Sequence, residues 1–351
     1  MKKILLCIVL FSLALFVANA QELTQIFKVD TGGTLTWFAA DDTTRGMCVN
    51  PSTGNILVAD RDSTVGNNVH KLDPSTGADL GNLDSTGISG GTHVVSKIDA
   101  ASDGVIYLCN LAVATADFKI YRYASEVAVP TAAYTEAAAV NRLGDEIAVT
   151  GTGTGTKILV TGWMYNKLAK FTTADGLTFS KTEVTPGNPD FAFGDAGPGY
   201  TNLAWDPAGT DYFACKSKAD DADGRIFKYT GSTDLSTGSP VVTRALADSP
   251  GGSGPFTVKL VGSETIIALG PSLTTAATPT NVYCNFYDGA GTALAYRTGS
   301  IEKAGAMAIN GNGTGDVSIN ASTRKVYVLL TNNSISGWNL PATGVQDWNL
   351  Y

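Results

Sequence analysis

The sequence has only two histidines, His70 and His93, in 351 residues. A histidine-rich metal centre is excluded, and a Ser-His-Asp triad would rest on His93 alone, because His70 sits in the middle of a strand-like run. Charge is scarce as well. Asp, Glu, Lys and Arg make up 16% of the residues, with a net charge of −8. That balance provides no basic face for a nucleic acid or an anionic membrane surface. The acidic residues are scattered, so no disordered acidic tail is implied. Neither a C-x-x-C pair nor a Cys/His cluster occurs, which argues against structural zinc. Long amphipathic helical patterns are nearly missing, and no hydrophobic run after position 17 is long enough to span a bilayer as a helix.

What is present begins with an export pattern. Met1-Lys2-Lys3 precedes an apolar run over residues 4–17, followed by Ala18-Asn19-Ala20 and then Gln21. This is the order of a cleavable signal peptide, and the run falls short of the roughly 20 residues a spanning helix needs. The expectation is a signal over residues 1–20 and a single exported domain over 21–351, extracellular or periplasmic and with no membrane insertion after cleavage. Four cysteines remain after that cleavage: Cys48, Cys109, Cys215 and Cys284. They lie far apart in apolar runs and read as small buried hydrophobes, disulfides being the alternative.

Short β-rich segments separated by Gly, Asn, Asp and Pro turns fill the rest of the chain, and they repeat. One nearly continuous apolar strand recurs at residues 55–60, 104–110, 157–162, 211–215, 264–270 and 325–330, as expected for a strand buried on both faces. A second type follows each after a polar loop, marked by Leu72, Tyr123, Phe171, Tyr229, Phe286 and Trp338, which fall 48 to 58 residues apart. About four strands per unit at that spacing make an all-β β-propeller of six four-stranded blades, seven being the alternative. Residues 22–38 read as an extra hairpin. Residues 34–38 are expected to pair with the last blade near residues 335–338 and close the ring, which hides open edges.

Residues 55–73, from Asn55 through Asp60 and His70 to Asp73, resemble one blade of the NHL and YVTN-type propellers. Residues 90–96 (Gly-Gly-Thr-His-Val-Val-Ser) are similar to secreted bacterial propellers. The resemblance implies the fold and carries no activity, because such repeats serve enzymes, sensors and adaptors alike.

On a propeller, the loops between blades and the loops joining second to third strands surround one channel mouth, where ligands usually bind. His93, in a Gly-Gly-Thr-His turn, could face the channel as a general base, with Arg45 beside the same mouth; a hydrogen-bonded structural role is the alternative. Asp60 and Asp62 could hold a polar ligand or form exposed ion pairs of little worth. Trp163, Tyr165, Phe191 and Tyr200 place aromatics in mouth loops, where they could stack on sugar rings or anchor a protein, or pack on one another. Asp220, Asp221 and Asp223 precede a glycine in an oxygen-rich loop of the kind calcium favours, without the distal Glu of an EF-hand. Residues 151–157 fail as a phosphate loop, since Thr156 stands where glycine must precede Lys157.

Two function classes follow. One is a recognition or scaffold propeller that binds a carbohydrate or an extracellular protein at the channel mouth without a cofactor. The other is a propeller enzyme, a carbohydrate lyase or a lactone or ester hydrolase, using mouth carboxylates and His93. A quinone-dependent dehydrogenase lacks its tryptophan-rich blade motif. Convergence of His93, Arg45 and two or more carboxylates in one deep pocket would favour the enzyme.

Overall fold

The computed structural model describes residues 20–62, 66, 68–139, 141–162, 167–184, 200–217, 226–229, 239–242, 253–271 and 282–342. The chain starts with β1 (Gln21–Glu22) and β2 (Thr24–Asp30), then lays down five four-stranded antiparallel sheets in succession. Blade I comprises β3 (Thr44–Val49), β4 (Ile56–Asp60), β5 (Asn68–Leu72) and β6 (Asp79–Asn82). Blade II comprises β7 (His93–Ala100), β8 (Ile106–Leu111), β9 (Phe118–Tyr123) and β10 (Thr131–Glu136). Blade III is β11 (Glu146–Thr150), β12 (Lys157–Thr161), β13 (Leu168–Thr172) and β14 (Ser180–Val184). Blade IV is β15 (Tyr200–Trp205), β16 (Tyr212–Ser217), β17 (Ile226–Tyr229) and β18 (Ser239–Val242). Blade V is β19 (Ser253–Val261), β20 (Glu264–Pro271), β21 (Asn285–Asp288) and β22 (Ala293–Arg297). Blade VI is β23 (Gly315–Asn320), β24 (Lys325–Leu330) and β25 (Ser334–Asn339), with β2 as its fourth strand. The molecule is a six-bladed β-propeller, and the only helix among the described residues is one 3-10 turn, Gly153–Gly155.

The continuous apolar runs are explained by where each second strand sits. In β4, Ile56 and Val58 enter the core between blades VI and I, while Leu57 and Ala59 enter the core between I and II. In β24, Val326, Val328 and Leu330 face blade V and Tyr327 and Leu329 face blade I. Alternation persists, but both faces are core, so every position is apolar. Six such cores, one per neighbouring pair of blades, replace a single central one. Cys48, Cys109 and Cys284 lie in three of them as free, buried thiols. Burial pushes the Cys109 thiol up to about 12, so it behaves as a small hydrophobe.

The turns follow their sequence chemistry. Asn50 accepts a backbone bond from Gly54 at 2.8 Å, and its side-chain oxygen accepts the N–H of Ser52. Asp73 likewise takes the N–H groups of Ser75 and Thr76 at 2.8 Å. These Asx turns join successive antiparallel strands without using strand residues.

Ring closure uses the N-terminal segment, and the strand that performs it is not residues 34–38. It is β2, antiparallel to β25 with Val29 opposite Ile335 and Phe27 opposite Gly337. The 34–38 stretch is turn and coil that plugs the seam with Leu35, Trp37 and Phe38, all buried against Met47, Ile56 and Tyr327. Just upstream, β1 adds in parallel to the outer edge of blade V, with Gln21 opposite Tyr296. One short segment therefore stitches blades V and VI together.

Deleting residues 21–30 removes this stitch, the pairing to β25 and the burial of Phe27 and Val29, each about 2 kcal/mol. The expected result is a single cooperative unfolding transition shifted down by on the order of 10 °C in calorimetry. An unchanged midpoint would mean that the ring closes without β2.

Candidate functional site

Each inner strand starts at the face where the preceding blade's outer strand ends and runs down the channel to the opposite face. The loops that reach this starting face come from several blades, and they meet around His93, the first residue of β7 and half-buried. Burial and then Arg61, Arg45 and Arg142 hold its imidazole down at about 4, with Asp145 pulling weakly the other way. His93 is therefore neutral at physiological pH, and three guanidinium groups are among the charges that bear on it most strongly.

Each of these groups is fixed by the fold. Arg45 lies in β3, buried, and its Nε donates to the carbonyl of Asp42 at 2.8 Å. Arg142 and Asp145 form a two-pronged pair, with both N···O distances 2.6 Å. They sit on the stretch entering blade III, which is held by reciprocal backbone bonds between Ala112 and Leu143. That stretch can come so close only because Gly144 has no side chain. Its φ is +98°, and a Cβ there would lie 1.9 Å from the carbonyl oxygen of Asn110. Arg61 follows β4 in the loop of blade I. Below it Asp60 is fully buried: one oxygen accepts the N–H of Asp62 at 3.1 Å, and the other lies 3.9 Å from Nε2 of His70. Asp60 thus shapes the base of the Arg61 turn from inside. His70 is buried too, stacked on Trp37 with ring centroids 3.7 Å apart.

Under this mouth the channel is closed by a charged cluster. Lys97, buried in the middle of β7, places its ammonium 2.9 Å from Glu146 of β11 and 3.5 Å from Asp316 of β23. A third bond, to the carbonyl of Gly315, is 3.1 Å. One lysine thus ties blades II, III and VI. Gly46 of β3 lets it pass, since a Cβ there would lie 2.9 Å from the Lys97 Cα. Burial works to lower the Lys97 ammonium, and Glu146 and Asp316 outweigh it, holding it above its ordinary value. Burial likewise pushes Glu146 up to about 8 and Asp316 up to about 6, against the pull of Lys97.

Beyond the cluster the channel widens into a cavity of about 370 Å³ that runs to the opposite face. Its walls carry Asp99 of β7 and Lys259 of β19, and its rim reaches the turn residues Pro51, Ser102, Pro207 and Ser322.

The structure thus brings His93 and Arg45 to one mouth, with Asp62 on the adjoining loop, and buries Asp60 beneath it. Tyr200 begins β15; only its backbone is described. Trp163, Tyr165, Phe191 and the trio Asp220, Asp221 and Asp223 lie outside the described residues. Among the described residues no cluster of three His, Cys, Asp or Glu could hold a metal ion. Arg61 lies in the Asp60-Arg61-Asp62 run read as a polar-ligand candidate, whereas Lys97, Glu146, Asp316 and Arg142 were not singled out by the sequence. The signal for Lys97 was a lysine inside an otherwise buried strand.

No known family model matches the sequence, and no curated protein does. Solved structures share the fold. A DUF4623 family protein from Bacteroides eggerthii DSM 20697 superposes with a TM-score of 0.64 at 16% identity, over 92% of this chain and 78% of its own. A gluconolactonase from Xanthomonas campestris gives 0.52 at 11% identity, covering 84% and 85%. A chain of the mitotic checkpoint complex gives 0.51 at 12%, covering 92% and 96%. At these identities the likeness is one of fold, the β-propeller class, and extends no further.

The buried cluster makes stability depend on pH. Between the ordinary Glu value of 4.5 and about 8, folded Glu146 keeps a proton that the unfolded chain has released. Raising the pH through that window therefore weakens the fold, by up to about 1.4 kcal/mol per pH unit for one proton. Below the ordinary His value of 6.5 the depressed His70 and His93 act in the opposite direction, so the clean test lies between 6.5 and about 8. Thermal unfolding measured there should show a midpoint that falls with pH, and Glu146→Gln should flatten the slope. An unchanged midpoint over that range would show Glu146 ionised throughout.

Proposed function

We propose that this is a recognition propeller that binds an acidic carbohydrate at the mouth formed by Arg45, Arg61, His93 and Arg142. The observation that carries the reading is the bearing of three guanidinium groups on one half-buried, neutral imidazole. Guanidinium forks match carboxylates in geometry and charge, and an uncharged imidazole can exchange hydrogen bonds with hydroxyls. Stacking of sugar rings on the aromatics Trp163 and Tyr165, which lie outside the described residues, belongs to this reading as well. Export at residue 20 and action outside the cytoplasm belong to it too, as does the kinship of residues 55–73 with NHL and YVTN-type blades. Mature protein sequenced from its N-terminus should begin at Gln21.

Hydrolysis is the second reading, favoured by the fold shared with a gluconolactonase and by the neutral His93. It is weaker because the deep carboxylates are occupied: Glu146 and Asp316 hold Lys97 and also accept backbone N–H groups.

A glycan array with uronate-containing and neutral oligosaccharides tests the choice. Binding should be confined to acidic glycans, and Arg61→Gln and Arg142→Gln should each weaken it by about tenfold or more, the cost of one charged hydrogen bond. Equal binding of neutral glycans would refute the electrostatic reading. Turnover of a lactone or acidic glycan that is lost in His93→Ala would establish the enzyme instead.

A further inference from the structure

The mouth occupies one end of the channel, and the Lys97 cluster separates it from the 370 Å³ cavity at the other. That volume is in the range of about 300–1,000 Å³ usual for ligand pockets. Five charged residues line it: Glu146 and Asp316 are engaged by Lys97, Asp206 caps a turn at the rim, and Asp99 and Lys259 remain. Asp99 belongs to blade II and Lys259 to blade V, which face each other across a ring of six. Burial raises the Asp99 carboxyl and the charge of Lys259 opposes that rise, yet no ion pair joins the two. Asp99 is held in place by the N–H groups of Ala100 and Val149, at 2.8 and 2.7 Å, so its oxygens are aimed and keep lone pairs to spare. Among the described residues, no carboxylate or carbonyl lies within bonding distance of the Lys259 ammonium. The rest of the lining is mixed, with Val49, Ile98 and Ala148 as apolar patches beside Thr150, Thr257 and Ser318.

A buried carboxylate and an opposing ammonium that do not meet leave each charge under-compensated, which is costly in a half-closed cavity. A molecule with both signs of charge would satisfy both at once. We propose that this lower compartment is a second binding site, for a small zwitterion such as an apolar amino acid or dipeptide. Its carboxylate pairs with Lys259, its ammonium with Asp99, and its side chain lies on the apolar patches. The site opens on the face opposite the acidic-glycan mouth and does not depend on it.

Calorimetric titration of the intact protein with millimolar leucine, methionine and alanyl-leucine tests this, with 4-methylpentanoate and leucinamide as analogues keeping only one charge. A zwitterion should bind at one site, and each analogue should bind roughly tenfold or more weakly, as should the zwitterion to Lys259→Met and to Asp99→Asn. Arg61→Gln, at the other mouth, should leave this binding unchanged. If Asp99→Asn does not fold, protection of Lys259 from acetic anhydride by the bound zwitterion, read by mass spectrometry, serves in its place. The proposal is overturned if no zwitterion binds, if 4-methylpentanoate binds as well, if binding survives in Lys259→Met, or if Lys259 is not protected.

Discussion

An inner strand of a closed propeller has a neighbour on one side only. Its other edge faces the channel, and the N–H groups along that edge need acceptors. This protein supplies them from the next blade. Asp316 of β23 accepts from Met47 of β3 at 2.9 Å, Ser318 accepts from Val49 at 3.0 Å, and Asp99 of β7 accepts from Val149 of β11 at 2.7 Å. The acceptor side chains thus do two things. They satisfy edges that would otherwise be bare, and they lock one blade's height against the next. The hydrophobic cores between blades set how close the blades come, whereas these bonds set their register along the channel.

Acceptors that are carboxylates bring a second requirement. Three acids in one narrow channel repel each other and lose their water, so they must be protonated or paired. Lys97 meets this need for Glu146 and Asp316. Because its ammonium must reach both, it lies across the channel and closes it. The division of the channel into a cationic mouth and a lower cavity is therefore a consequence of how the inner edges are satisfied. Asp99 lies beyond the reach of Lys97, and the positive charge it senses belongs to Lys259 on the far wall.

The parts of this arrangement legible in the sequence were those written locally. A second strand buried on both faces has no polar position to spare, so its six copies stood out as apolar runs. Asx turns announced themselves by Asn or Asp at the right offset. The closing strand was placed about ten residues too late for a physical reason. Residues 34–38 alternate like a strand, with Leu35 and Trp37 on one side, but the turn at Gly32 and Gly33 folds them back into the seam, where burial and a few hydrogen bonds hold them without strand pairing. The true strand shows only Phe27 and Val29 as deeply buried positions, because the outer strand of a blade has one face in solvent. The site was less legible still. Arg45, Arg61, His93 and Arg142 come from three blades, and nothing local in the chain relates them. Lys97 and Asp99 did carry a signal, since a charge in the interior of a buried strand must have a partner somewhere.

Arg61 shows how the blade interior sets the geometry of the mouth. The loop carrying it begins at Asp60, whose oxygen takes the N–H of Asp62 and so fixes the first turn of the loop. Burial pushes the Asp60 carboxyl up to about 6, against the bonds it accepts from Thr43 and Asp62. The same burial, with no compensating proton, drives His70 down to about 4, despite the pull of Asp79. His70 is consequently a neutral ring and can lie flat on Trp37, whose indole N–H donates to Asp79 at 2.9 Å. Trp37 belongs to the segment that follows the closing strand β2. The chain of contacts from the ring's seam through Trp37 and His70 to Asp60 thus ends at the base of the loop that carries Arg61. A propeller whose seam is loose would present that guanidinium less sharply, so closure of the ring and order at the mouth are two expressions of the same packing.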